Sequence, residues 1–226
     1  MGYAIIAWDG TEAAAPARRA AARDRHLAVI AEWAAAGRLA LGVPLFTPEL
    51  FTPDWQPAGS LMVLEVLDQA GLDAYLAAEP YNTLGVWRQV TAHPFRIAPL
   101  PYRPLPQPGA AVAAARTHTV IVAMDGTDAE APARRLAVRQ AHMARVAPLA
   151  ADGTLALGGA ILDAAGARMS GSIAVTAHTT DAAARAWTAA DPYVTGGVWR
   201  DIALHGTRFA PLPYRPLPYR PLPGAG

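Results

Sequence analysis

Residues 79–88 read EPYNTLGVWR and residues 191–200 read DPYVTGGVWR, so one pattern occurs twice in a chain of 226 residues. Further matches flank it in the same order. Asp9-Gly10-Thr11 returns as Asp125-Gly126-Thr127, Gly59-Ser60 returns as Gly171-Ser172, and the segment APLPYRPLP starts at both Ala98 and Ala210. Two copies are too few for a solenoid. The sequence therefore predicts two units of domain size.

Apolar periodicity predicts the same elements in each unit. In the first, residues 3–8, 39–46, 61–67 and 87–97 have the composition of strands, and residues 13–36 and 70–78 that of helices. The resulting order, β-α-β-β-α-β, is the ferredoxin-like split βαβ unit. Its sheet has one face covered by helices and one bare face, which a second copy can cover. We therefore expect an α+β protein built from two ferredoxin-like repeats.

Composition shifts divide the chain into four parts. We predict a first domain at 1–98, a Pro/Ala-rich linker at 99–117, a second domain at 118–210 and a Pro-rich C-terminal arm at 211–226. The arm has the composition of polyproline II and could dock into an aromatic groove of another protein. Because its motif also ends the first unit, packing across the partner unit is favoured.

The composition excludes several chemistries. The chain contains no cysteine and no lysine, since all 19 residues of the Lys and Arg class are arginines. Thiolate nucleophiles, cysteine-ligated zinc and Schiff-base lysines are therefore ruled out. No His-x-His or HExxH spacing occurs, so we predict neither a metal nor a cofactor. A net charge of +1 and the lack of a long apolar run argue against nucleic acid and membrane as partners, and we expect a cytoplasmic protein.

The long helix of each unit carries a histidine where charged residues give way to apolar ones. In the first unit the helical stripe runs through Arg19, Arg23, His26, Ile30 and Trp33, and His142 holds the matching place in the second. A structural histidine bonded to a backbone carbonyl is the alternative. Recurrence of the histidine, with an acidic residue at a matched position in each unit, favours a functional site.

These motifs resemble the YciI-like (YCII-related) family. The resemblance rests on five stretches found twice in the same order, namely residues 23–27, 37–39, 59–61, 79–81 and 85–87 with their counterparts 139–143, 153–155, 171–173, 191–193 and 197–199. It implies a dimeric α/β barrel, formed here as a pseudo-dimer within one chain. It also implies a catalytic pair of a helix histidine and the aspartate of an Asp-Pro motif, and at least one relative is a cofactor-independent dehydrochlorinase of a hydroxylated chloroaromatic ring.

Carried onto this chain, the pair is His142 with Asp191 and, in the first unit, His26 with Glu79. Glutamate replaces the family's aspartate in the first unit, which favours the second as the better preserved site. The family's Gly-Pro-Leu element is also altered in both units, to Val-Pro-Leu at 43–45 and Gly-Ala-Ile at 159–161.

Several other repeated residues are candidates for binding a substrate. Arg23 and Arg139 lie one turn from the histidines and could hold a carboxylate or oxyanion, although a surface ion pair would also explain them. Ser60 and Ser172 could donate a hydrogen bond, or could serve only in a turn. The set is completed by the last-strand histidines, His93 and His205.

The predicted function is that of a small cofactor-independent enzyme, a lyase or isomerase that moves a proton on a hydroxylated or carboxylated small molecule. An imidazole can take such a proton near neutral pH, and a carboxylate on its other nitrogen fixes the tautomer. One alternative is a non-catalytic protein that binds a small molecule in the same cleft. Another is a cofactor-free oxygenase. We expect a monomer whose two units form the pseudo-dimer, with further oligomerisation left open.

Overall fold

A computed structural model describes residues 2–46 and 56–217. The first unit contains strands β1 (Gly2–Asp9), β2 (Leu39–Leu45), β3 (Gly59–Leu64) and β4 (Trp87–Ile97), with helices α1 (Ala15–Ala35), α2 (Gln69–Ala78) and α3 (Pro80–Thr83). The second contains strands β5 (His118–Asp125), β6 (Leu155–Leu162), β7 (Met169–Thr176) and β8 (Trp199–Thr207), with helices α4 (Ala131–Asp152), α5 (Asp181–Ala189) and α6 (Pro192–Thr195).

The two units share one antiparallel sheet of eight strands. Its order is β2-β3-β1-β4-β6-β7-β5-β8, so each unit contributes four neighbouring strands in an equivalent order. The core is formed largely by the sheet's apolar residues, which include the fully buried Ile5, Leu41, Leu61, Ile121 and Leu157. The chain is thus an α+β protein with an antiparallel sheet, as its strand and helix patterns predict.

The units meet where β4 lies against β6. Phe95, Arg96 and Ile97 pair with Ile161, Ala160 and Gly159 respectively. This junction is close, because a Cβ atom added to Gly159 would lie 2.6 Å from the carbonyl oxygen of Arg96. The absence of a side chain at residue 159 therefore lets the end of β4 approach β6.

The closed barrel that we expected is not formed by the described strands. Among the described residues, backbone pairing between the two ends of the sheet, β2 and β8, is limited to an isolated bridge between Phe46 and Gly206. Pro44 holds the place that Ala160 holds at the other junction, and proline has no N–H to donate to a neighbouring strand. The carbonyl of Pro44 instead accepts a hydrogen bond of 2.6 Å from the Thr207 hydroxyl. The sheet therefore remains open over the residues that the structure describes.

The two proline-rich segments cross between the units. After β4, the Tyr102 hydroxyl bonds both the N–H and the carbonyl of Gly158 in the second unit, at 3.1 and 2.8 Å. After β8, the Tyr214 hydroxyl makes the same two contacts with Gly42 in the first unit, at 3.2 and 3.0 Å. Each unit's trailing segment thus lies on the other unit. Residues 218–226 of the predicted arm lie outside the described residues.

The single-turn helices α3 and α6 were not predicted. We expected the preceding helix to end before Pro80, and it does, but a new helix begins at that proline. Proline suits the first helical position because no intrahelical acceptor exists for its missing N–H. In both units an acidic side chain caps the new helix, with Glu79 accepting from the Tyr81 N–H and Asp191 from the Tyr193 N–H, each at 2.9 Å.

Candidate active site

The central contact of the second unit joins a helix histidine to a buried carboxylate. His142 lies on α4 and Asp191 caps α6, and His142 Nδ1 lies 2.7 Å from Asp191 Oδ1. The carboxylate is fully buried, whereas 14% of the histidine side chain is exposed. Because an ionised carboxylate only accepts, this contact fixes Nδ1 as the protonated nitrogen of the neutral ring. Nε2 has no bonding partner among the described residues and is free to accept a proton.

A third group completes the charge balance around Asp191. The guanidinium of Arg145 donates to Asp191 Oδ2 at 3.0 Å and to the carbonyl of Trp187 at 2.7 Å, and lies over the ring of that tryptophan. A buried carboxylate is costly unless it is paired and fully hydrogen-bonded. Arg145, His142 and the Tyr193 N–H together satisfy it.

The first unit contains a related pair with a different third partner. His26 Nδ1 lies 2.7 Å from Glu79 Oε1. The other oxygen accepts from the hydroxyl of Tyr75 at 2.8 Å, while the position of Arg145 is occupied by Val29. Burial, followed by the neighbouring Glu79 carboxylate, raises the pKa of Tyr75 well above its ordinary value. Glu79 is therefore held by a neutral hydroxyl where Asp191 is held by a cation.

An arginine precedes each histidine by two turns on the same helix face. In the second unit, Arg135 forms a two-pronged ion pair with Asp125 at 2.7 and 2.8 Å and donates to the Ser172 hydroxyl at 2.9 Å. That hydroxyl also accepts from the Trp199 indole at 3.3 Å. Burial raises the pKa of Asp125, and Arg135 opposes this effect. Arg19, Asp9, Ser60 and Trp87 repeat the arrangement in the first unit.

The tyrosine of each Pro-Tyr motif joins these two groups. Tyr193 stacks on the ring of His142, with centroids 3.9 Å apart and planes inclined by 17°, and Arg135 lies over its ring. Tyr81 stacks on His26 at the same centroid distance. Burial raises the pKa of Tyr193, with Arg135 as the main opposing influence. The histidine ring is thereby held in orientation by a stacked neighbour as well as by its carboxylate.

A cavity of about 370 Å³ opens beside His142. Its walls come from the second unit and from the end of β4 with the following residues of the first unit, so the site lies between the units. Basic groups and apolar or aromatic side chains dominate the lining, and no carboxylate belongs to it within the described part of the chain. The lining residues with polar or aromatic side chains are Arg96, Arg135, Arg139, His142, Ser172, Trp187, Tyr193 and Trp199.

The equivalent region of the first unit contains bulkier side chains. Val43 stands where the cavity has Gly159, and Met62 stands where it has Ala174. Both residues are buried in the core, and Met62 packs over Gly42. The first unit therefore has larger side chains at two positions that line the cavity in the second unit.

The other predicted binding residues have different surroundings. Arg139 lines the cavity one turn from His142, and Ser172 lines it as well, but Ser172 is already bonded to Arg135 and Trp199. His93 and His205 do not line the cavity. Burial lowers the pKa of both, and His205 makes an edge contact with Trp8.

Comparison with known proteins supports the family resemblance. Residues 117–205 match the YCII-related domain. Protein YciI of Escherichia coli O6:H1 is 36% identical over 90 residues, which cover 38% of this chain and 90% of YciI. The chain belongs to the YCII-related family.

More distant similarities of this YCII-related protein concern the fold alone. A proposed monooxygenase from Lactobacillus acidophilus NCFM is 11% identical, with a TM-score of 0.54 over 94% of this chain and 96% of its own. A mutant chlorite dismutase from Candidatus Nitrospira defluvii, in complex with cyanide, is 13% identical, with a TM-score of 0.54 over 94% and 92% of the two chains. Both likenesses span the two units together.

Several residues at the site of the YCII-related protein could not be identified from the sequence. Asp125 was visible as part of the repeated Asp-Gly-Thr motif, and Arg135 as part of the helix stripe, but nothing in the pattern linked them. Arg145 gave no repeat signal because its counterpart is Val29. Arg96 was hidden because it comes from the other unit. Within residues 2–46 and 56–217, no cluster of three metal-ligating side chains was found, and no helix is long and apolar enough to cross a membrane.

Proposed function

We propose that this YCII-related protein is a small cofactor-independent enzyme that transfers a proton on a hydroxylated or carboxylated small molecule, as a lyase or an isomerase. His142 is the general base and Asp191 its orienting partner. The observation that supports this proposal is the contact of 2.7 Å between His142 Nδ1 and Asp191 Oδ1 at the wall of a cavity.

The geometry supports a proton transfer through the second ring nitrogen. With Nδ1 donating to Asp191, the neutral ring presents a lone pair at Nε2. When Nε2 takes a proton, the imidazolium formed is stabilised by the buried carboxylate beside it. Stacking on Tyr193 limits rotation of the ring. A base held in this way needs little reorganisation during the reaction.

We further propose that the first unit is a diverged copy of the second, paired with it as a pseudo-dimer. The same element order, the second histidine–carboxylate contact and the repeated arginine–aspartate pair support a duplication. The second unit is the active one in this proposal. Support comes from the cavity beside His142 and from the buried Val43 and Met62, which stand in the first unit at the positions of the cavity residues Gly159 and Ala174.

Hydrogen–deuterium exchange tests the proposed chemistry across a range of compounds at once. The protein is incubated in D₂O with a panel of hydroxylated aromatic compounds and enolisable acids, and loss of ligand C–H signals is followed by NMR. We expect catalysed exchange in at least one compound and a decrease of about 100-fold or more in His142→Asn, since general bases contribute about 10²–10⁴-fold. The matched variant His26→Asn reports on the first unit and should retain most of the exchange.

The same experiment separates the alternatives. Binding without exchange in any compound, in both the wild type and His142→Asn, would contradict an enzyme and indicate a binding protein. Oxygen consumption with an electron-rich phenol, measured by an oxygen electrode, would instead indicate a cofactor-free oxygenase. An exchange rate that His142→Asn does not change would remove this histidine from the reaction.

A further inference from the structure

The charges around the cavity are unbalanced. Three arginines and His142 line it; Arg135 is paired with the buried Asp125, and His142 contacts Asp191, whose charge Arg145 also balances. The guanidinium groups of the other two arginines, Arg96 and Arg139, make no ion pair or hydrogen bond within the described part of the chain. A cavity with two such guanidinium groups and no carboxylate in its lining favours an anionic ligand.

The two free guanidinium groups come from different units. Arg139 projects from α4 of the second unit, while Arg96 lies near the end of β4 in the first, where it pairs with Ala160 of β6. The close approach of the strands at Gly159 brings the Arg96 backbone to the cavity wall. Arg96 therefore completes a site whose base belongs to the other unit.

The rest of the lining determines what kind of anion fits. Trp187 and Trp199 contribute aromatic surface, and Met143, Val146 and Ile173 contribute apolar surface. A strongly hydrated inorganic anion would have to give up water at these walls without gaining contacts. A flat apolar body with one anionic group would use both features, because an aromatic ring packs against such walls while guanidinium groups bind a carboxylate.

We propose that the cavity binds a small aromatic carboxylate, with the carboxylate group between Arg96 of the first unit and Arg139 of the second and the ring against the tryptophans. This proposal deepens the proposed function and rests on it only in taking the cavity beside His142 as the substrate site. It assigns Arg96 as a specificity-determining residue. Arg139 lies one turn from His142 on the same helix, so a carboxylate held there places the ring of the ligand beside the histidine.

Isothermal titration calorimetry with two ligands of equal shape tests the proposal on the full chain. Benzoate carries the carboxylate, and benzamide is its neutral counterpart. We expect benzoate to bind the wild type about 10-fold or more tightly than benzamide, and this advantage to shrink as salt is raised from 50 to 500 mM. Arg96→Gln should weaken benzoate about 10-fold or more and leave benzamide unchanged, and Arg96→Lys should retain part of the difference.

Arg208→Gln is the matched control, because Arg208 holds in the second unit the position that Arg96 holds in the first. It should leave benzoate binding as in the wild type. Equal binding of benzoate and benzamide, no detectable binding of benzoate at millimolar concentration, or equal effects of Arg96→Gln and Arg208→Gln would each overturn the proposal. The thermal unfolding midpoint of each variant shows that it is folded.

Binding and exchange measurements together distinguish a failure of the carboxylate site from a failure of the proposed proton transfer. His142→Asn should still bind benzoate, because the carboxylate contacts do not include the histidine. If the protein binds benzoate no more tightly than benzamide while proton exchange still depends on His142, the proposed carboxylate site is wrong and the proposed proton transfer is supported. If benzoate binding depends on Arg96 but no compound shows hydrogen–deuterium exchange, the proposed ligand class is supported and the proposed enzymatic activity is wrong.

Discussion

The junction of the two units is sensitive to a single methyl group. In Gly159→Ala, the new carbon would lie 2.3 Å from Cζ of Phe95 and 2.6 Å from the carbonyl oxygen of Arg96, whereas ordinary contacts begin near 3.4 Å. Phe95 could rotate away, but the Arg96 carbonyl belongs to the backbone. Strand β4 must therefore move from β6 by roughly 1 Å, which is the shortfall from normal van der Waals contact.

The expected cost follows from the size of this clash. Overpacking of a close contact costs about 1–3 kcal/mol, and the three residue pairs between β4 and β6 leave few other contacts to absorb the movement. For a chain of 226 residues, 1 kcal/mol corresponds to roughly 2–4 °C in the unfolding midpoint. We therefore expect Gly159→Ala to lower the midpoint by about 2–12 °C and, by displacing Arg96, to weaken benzoate binding.

Calorimetric unfolding of Gly159→Ala and of the neighbouring Gly158→Ala measures the effect. The atoms nearest to a Cβ atom at residue 158 would be those of the Leu155 side chain at 3.3 Å and the Tyr102 hydroxyl at 3.6 Å, so this control should cost about 1 kcal/mol or less. If both variants unfold at the same temperature, or if Gly159→Ala unfolds like the wild type, the close approach of the strands does not determine the junction.

Three further predictions concern the cavity, the crossing segments and pH. Ala174→Met copies the first unit's Met62 into the cavity and should abolish the benzoate-induced shift in unfolding temperature while leaving the chain folded. Tyr214→Phe removes both hydrogen bonds to Gly42 and should lower the free energy of unfolding in urea by about 1–3 kcal/mol. Burial lowers the pKa of His118 from 6.5 to about 4. The associated stability is therefore complete above pH 6.5 and is lost as the pH falls toward 4, by on the order of 1–2 kcal/mol at pH 4.5, a loss that His118→Asn should not show.

Much of the fold could be predicted from the periodicity of apolar residues and from the internal repeat. The strand at 87–97 has the predicted limits, and the long helix at 15–35 lies within the predicted 13–36. The predicted strand at 61–67 was displaced and is observed at 59–64, because a flat apolar run gives no sign of where pairing ends. The helices at Pro80 and Pro192 were missed because a single turn is too short to show periodicity.

The residues of the site also differ in whether the sequence could predict them. Its residues within one helix face, such as Arg139 and His142, could be proposed from spacing, and the family resemblance supplied Asp191. Arg145 and Arg96 could not be found, since one lacks a counterpart in the repeat and the other depends on how the units meet. The open sheet was also beyond reach, because the effect of Pro44 on strand pairing depends on which edge faces β8.

The crossing of the proline-rich segments affects the order in which the molecule can be completed during synthesis. The second unit receives its tyrosine from residue 102, which leaves the ribosome before that unit exists. The first unit receives its tyrosine only from residue 214, after all strands of the second unit have been made. The unit that is translated first is thus the last to gain its tyrosine contact. For the same reason a protease cut in the exposed stretch near Gly109 would sever the backbone and leave two fragments that each hold the other in place.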